Sequence, residues 1–139
     1  KARFDKILER GLCIGVGERD GQMCIEAAIC ASLDLPHGDD PSCVDAAVRA
    51  FKIRLNDSPW SSPKARAEGL RELGIAQVGS KGKIDSSKFA ELMTIKTVNT
   101  LLPALFKEVF PTPDKYLLMS ASIALEVLKE LKSPGCDWL

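Results

Sequence analysis

A chain of 139 residues with 45% hydrophobic and 27% charged side chains is long enough for one domain with a real core and too apolar to be disordered. Nineteen Lys plus Arg balance nineteen Asp plus Glu, so no global charge draws it to nucleic acid or an anionic membrane. No apolar run approaches a membrane span, and the opening KARFDKILERG is an amphipathic charged segment rather than a signal peptide.

Helical periodicity recurs along the chain, and no segment alternates as a half-buried strand does. ARFDKILER places Phe4, Ile7 and Leu8 on one face, with Gly11 as a C-cap. A glycine-rich connection, GLCIGVGERDG, leads to QMCIEAAICASL, which is apolar almost all round and is expected at the centre of the core. Asp40 before Pro41 predicts an N-cap and a first-turn proline for a third helix reaching about Leu55, with Val44, Ala47, Val48, Phe51 and Leu55 as its inner stripe.

Ser62 and Pro63 repeat that signal for a fourth helix ending near Gly79. Its Gly69 and Gly74 each cost about 1 kcal/mol relative to alanine, and a close crossing against Ala27, Ala28 and Ala31 would account for them. Asp85 or Ser86 starts a long fifth helix through Phe110, with Ile95, Val98, Leu102, Leu105, Phe106 and Val109 along one side. Pro103 is expected to kink it, because the Asn99 carbonyl loses its partner. Thr112 and Pro113 start a sixth helix that ends at SPG and folds back on the fifth as an antiparallel hairpin. The expectation is an all-α fold over residues 1–139: a compact single-domain bundle of about six helices.

Chemistry-bearing residues are few. There are five cysteines, and without an export signal they are expected reduced in the cytosol. His37 is the only histidine, in LPHGDDPSCV, and Cys43 lies six residues on. A thiol near a helix N-terminus is acidified by unpaired N–H groups, so His37 and Cys43 make the best Cys–His pairing available. Asp39, Asp40 and Asp45 oppose it, and the plainer reading is a capped turn in which the histidine bonds a carboxylate or carbonyl.

Cys24 opens the buried helix with Gln22 nearby as an oxyanion donor. His37 lies beyond the far end of that helix, on the order of 16 Å away for about eleven residues, and is a poor base for it. Cys24, Cys30, His37 and Cys43 are the available metal ligands, but they lack the close Cys-x2-Cys pair that marks zinc. GVGERDG imitates a phosphate-cradling loop without the preceding strand, and GKIDSSKF imitates half a calcium loop with Lys88 where a glutamate belongs. No cofactor is expected. Glu26, the only charge in the second helix, calls for a structural ion pair, with Arg19, Arg49 or Arg54 as partner.

One local asymmetry remains. Arg49, Lys52, Arg54, Lys64, Arg66 and Arg71 face only Asp57 and Glu68 between positions 49 and 71, and Trp60 lies among them. An exposed aromatic in a basic patch suits contact with nucleic acid or an acidic protein. GLCIGVG, MCIEAAICASLDLPHGDDPSCV, FKIRLNDSPWSSPKARAEGLRELGIAQVGS and GKIDSSKF resemble a family of small proteins of unknown function from bacterial and phage genomes, over about residues 11–110. That resemblance implies a cytosolic setting and a bacterial or phage origin, and supplies no catalytic residues. The leading expectation is a non-enzymatic binding or regulatory module that meets a protein or nucleic acid through the third and fourth helices. The alternative is a thiol- or metal-dependent enzyme built on His37, Cys43, Cys24 and Glu26.

Overall fold

The computed structural model describes residues 1–108 and 112–132. The elements are α1 (Ala2–Leu8), α2 (Ile25–Ser32), α3 (Ala46–Asn56), α4 (Pro63–Gln77), α5 (Ser86–Lys96), a π-helical turn (Thr97–Leu101), α6 (Leu102–Phe106) and α7 (Pro113–Leu131). From α5 through α6 the helix is continuous, so the described residues form six helical rods in an all-α bundle. Among the described residues there is no strand, only isolated bridges from Met23 to Leu12 and Gly17 in the glycine-rich connection.

Two helix starts follow from local chemistry. Ser62 accepts from the Ala65 N–H at 3.0 Å and Asp85 from the Lys88 N–H at 3.0 Å. The third start lies five residues later than expected. Asp45, not Asp40, caps α3, accepting from the Ala47 and Val48 N–H groups. Long-range partners decide it: the Ser80 hydroxyl bonds the Asp45 N–H at 2.8 Å, and Ser86 donates to the Asp45 carboxylate. Residues 41–44 form a turn instead, so Cys43 stands outside the helix.

α2 is the central rod, with Ile25 through Cys30 all buried. α1 and α4 pack against it on one side and α3 on another, while α4 and α7 share a broad interface. The two α4 glycines are contact points, though not for the α2 alanines. A Cβ on Gly69 would come within 2.5 Å of the Trp60 ring, and one on Gly74 within 2.9 Å of Phe4 and 3.1 Å of Ile25. Gly17 has φ +72°, and a Cβ there would sit 2.3 Å from the Gln22 carbonyl oxygen, so that turn admits no side chain.

α7 returns antiparallel to the α5–α6 rod. Lys96 lies 3.5 Å from Glu130 and 3.7 Å from Glu126, while Glu108 pairs with Lys115 at the other end. The distortion expected at Pro103 appears upstream of it as the π turn, whose wider ladder absorbs the missing N–H. The apolar stripe expected on this rod is not its buried face. Ile95, Val98, Leu102 and Phe106 are 45%, 52%, 38% and 85% exposed, and Leu105 is half-buried. Phe89, Met93 and Leu101 point inward instead. Val109, Cys136, the SPG stop and the C-terminal GCDWL lie outside the described residues.

Candidate functional site

The charged residue of α2 meets a partner that its sequence neighbourhood does not reveal. Glu26, Lys52 and Gln77, from α2, α3 and α4, are each fully buried. Lys52 Nζ lies 3.2 Å from Glu26 Oε1, and Gln77 Nε2 donates to Glu26 Oε2 at 3.0 Å. Glu26 Oε1, Lys52 Nζ and Gln77 Oε1 nevertheless lack a partner in hydrogen-bond geometry among the described residues. Burial pushes the Lys52 ammonium below its ordinary value, and the Glu26 charge opposes that. None of the three expected arginines is involved. Arg49 donates to the Asp39 carbonyl at 2.6 Å and carboxylate at 3.0 Å, and Arg19 and Arg54 are exposed.

Beside Glu26 lies a cavity of about 20 Å³, room for one water molecule. Cys24 and Glu26 line it from α2, Asn56 and Asp57 from the end of α3, and Asp39 and Gly15 from two loops. The walls are tied together. Asn56 Oδ1 accepts from the Ile25 N–H at 3.1 Å, and its Nδ2 donates to the Cys13 carbonyl and to Asp57. Asp57 in turn accepts from the Gly15 N–H at 3.1 Å. Cys24 is the N-cap of α2, its sulfur accepting from the Ala27 N–H at 3.3 Å.

That cap does not activate the thiol. Burial pushes Cys24 up to about 11, although the Ala27 and Glu26 N–H groups pull the other way. Gln22 is no oxyanion donor either: its side chain is exposed and donates to the Arg10 carbonyl at 2.8 Å. The helix is eight residues long, and the loop after it doubles back towards its N-terminal end. His37 Nε2 therefore lies 3.1 Å from the Gly17 carbonyl oxygen, next to Val16, whose carbonyl accepts from the Cys24 N–H. The histidine stays exposed, in the plain carbonyl-bonded turn.

Cys43 is half-buried against the core, Cys30 is buried, and all four described cysteines are free. Cys24, Cys30, His37 and Cys43 do not converge. Among the described residues no group of three or more His, Cys, Asp or Glu side chains is placed to hold a metal ion.

The basic surface expected on α3 and α4 is largely internal or neutralised. Trp60 is 7% exposed and donates Nε1–H to the Leu55 carbonyl at 2.8 Å. Lys52 serves Glu26. Arg66 is buried, with Nε on the Asn56 carbonyl at 2.7 Å, Nη1 on the Leu12 carbonyl at 2.9 Å and Nη2 on the Ser58 carbonyl at 3.4 Å. Arg71 forks onto Asp5 at 2.7 and 3.1 Å, and Arg49 holds Asp39. Arg54 and Lys64 remain in solvent, Lys64 within 4.0 Å of Glu68. A stacking platform between cations does not exist there.

Sequence reasoning missed Gln77, Asn56 and Asp57. The Asn-Asp pair closing an amphipathic helix was the one available signal, because both side chains bond backbone readily. No family model, curated protein or solved structure matches the chain. Among the described residues no helix is long and apolar enough to cross a membrane.

Proposed function

We propose that the chain is a cytosolic, non-enzymatic binding module of bacterial or phage origin whose partner is a protein. The contact surface in this reading is the α5–α6 rod rather than α3 and α4. The observation that carries it is the row Ile95, Val98, Leu102 and Phe106, spaced three, four and four residues apart and left in solvent. Soluble monomers rarely leave contiguous apolar patches uncovered, and aromatic anchors dominate interface energetics.

From Ile95 to Phe106 the row extends about 16 Å along a helix, which suits an amphipathic helix of the partner carrying its own apolar stripe. Covering Phe106, now 85% exposed, would contribute about 1.5–3 kcal/mol. The raised thiol of Cys24 and the internal roles of Lys52, Trp60 and Arg66 also favour this surface over those residues.

Selection from a displayed library of helical peptides tests the reading. Enriched peptides should carry apolar residues at i, i+3, i+4 and i+7, and should lose binding to the double variant Val98→Asp, Phe106→Asp. No enrichment, or peptides indifferent to that variant, would overturn it. A second reading, thiol chemistry at Cys24, draws on the meeting of Cys24, Glu26, Asp39, Asn56 and Asp57 around one cavity. It requires a partner or substrate that lowers the Cys24 pKa.

A further inference from the structure

Although the chain is neutral overall, its charges are not evenly spread. A cleft of about 340 Å³ lies between α1 and the glycine-rich connection, and Arg3, Lys6, Arg10 and Arg19 line it. Three of these belong to one face of α1 and its C-terminal extension, at spacings of three and four residues. Arg19 comes from the turn opposite. The Arg10 carbonyl accepts the Gln22 side chain at 2.8 Å, which fastens that turn to the end of α1 and holds the two arginines at one cleft.

Acid is scarce around it. Arg3 is engaged by Asp34 at 2.7 Å, and Asp20 is the carboxylate among the lining residues. The side chains of Lys6, Arg10 and Arg19 form no ion pair or hydrogen bond among the described residues. By contrast, Arg49, Arg66 and Arg71 are all committed to carboxylates or carbonyls. The floor of the cleft is apolar, made by Ile7, Met23 and Ala31.

Converging uncommitted cations cost folding energy through mutual repulsion, and an anion relieves it. Guanidinium groups match phosphate oxygens in pairs, whereas a single carboxylate would leave most of their donors idle. We propose that this cleft binds a ligand bearing two or more phosphate groups, held by Lys6, Arg10 and Arg19. An oligophosphate, free or on a nucleotide, and the backbone of a single strand offer the same chemistry. The GVGERDG turn then contributes through Arg19 rather than as a backbone cradle.

Titration of the full chain with tripolyphosphate, ATP and a twelve-residue oligothymidylate, at low and at fourfold higher salt, tests this. Saturable binding of tripolyphosphate and ATP identifies a free oligophosphate site; binding of the oligonucleotide alone identifies a strand site. With about three phosphates neutralised on a single strand, fourfold more salt should weaken binding roughly 20-fold. The double variant Arg10→Gln, Arg19→Gln should weaken association at least about tenfold, since it removes two of the three uncommitted cations that would make charge-assisted contacts. Arg54→Gln with Lys64→Gln, equally exposed cations elsewhere, should leave it unchanged. No binding of any probe at low salt, or equal losses from both double variants, overturns the proposal.

Discussion

Replacing Glu26 by glutamine keeps its shape and its bond from Gln77 but removes the charge facing Lys52 across 3.2 Å. The stranded ammonium, fully buried, then has two options. Staying charged without a counterion costs about 3–5 kcal/mol, the usual result of breaking one side of a buried pair. Shedding its proton at pH 7 costs about 1.4 kcal/mol per unit up to the ordinary value near 10.4, or about 4.6 kcal/mol. Both routes give a loss of about 3–5 kcal/mol, a large part of the 5–15 kcal/mol typical of a domain.

The second route leaves a signature. The unfolded variant carries the Lys52 proton and the folded variant does not, so unfolding takes up a proton and stability rises with pH. The deficit relative to the parent should therefore shrink by about 1.4 kcal/mol per unit between pH 7 and 10. Urea unfolding followed by tryptophan fluorescence at pH 7, 8 and 9 measures it. Adding Lys52→Met should restore most of the stability, because it removes the stranded ammonium and leaves the amide at position 26 bonded to Gln77 beside an apolar chain of similar volume. A loss below about 1 kcal/mol, or no rescue by the second change, would refute a dry, mutually dependent pair.

Trp60→Ala should cost about 3–5 kcal/mol in urea unfolding followed by far-UV circular dichroism, because the indole is buried against Gly69 and its N–H is bonded. An unchanged midpoint would return Trp60 to the surface. With Cys24 and Cys30 both pushed up to about 11, roughly one thiol in a thousand is ionised at pH 8, so iodoacetamide should label Cys13 and Cys43 before either. Early labelling of Cys24, read by mass spectrometry, would revive a nucleophilic role. The Ser61 hydroxyl and N–H donate to Asp114 and hold its carboxyl below the ordinary carboxylate value. Ser61→Ala should raise the Asp114 midpoint in an NMR titration, and an unmoved midpoint would place the cause elsewhere.

What was legible in the sequence was local. Ser62 and Asp85 announce their helices because a cap needs only the next three residues. Asp40 and Asp45 carry equal local signals, and Ser80 and Ser86, far along the chain, choose between them. Lys52 is one position off the Val44–Leu55 stripe, where a lysine ordinarily reaches solvent; a carboxylate on another helix draws it inward. Trp60 and Arg66 likewise look like surface residues until the Leu55, Leu12 and Asn56 carbonyls are placed beside them. Periodicity identified an apolar row on the fifth rod but not which of its faces would meet α7. The π turn underwinds the helix between Met93 and Leu101 and so brings both onto the inner face.

The glycine-rich connection owes its shape to residues that do not yet exist when it is synthesised. Its anchors are Asn56 on the Cys13 carbonyl and Ile25 N–H, Asp57 on the Gly15 N–H, and Arg66 on the Leu12 carbonyl. These partners follow 31 to 54 residues later. At about 5–20 residues per second the ribosome delivers the last of them roughly 3–11 s after Leu12, and until then the loop closes only on local partners such as Met23, Gln22 and the Arg10 carbonyl. A nascent chain halted before Asn56 would lack every one of these distant anchors. The basic cleft has its fastening, Gln22 on the Arg10 carbonyl, close by in the chain, so it can take shape before the part of the connection that Asn56, Asp57 and Arg66 hold.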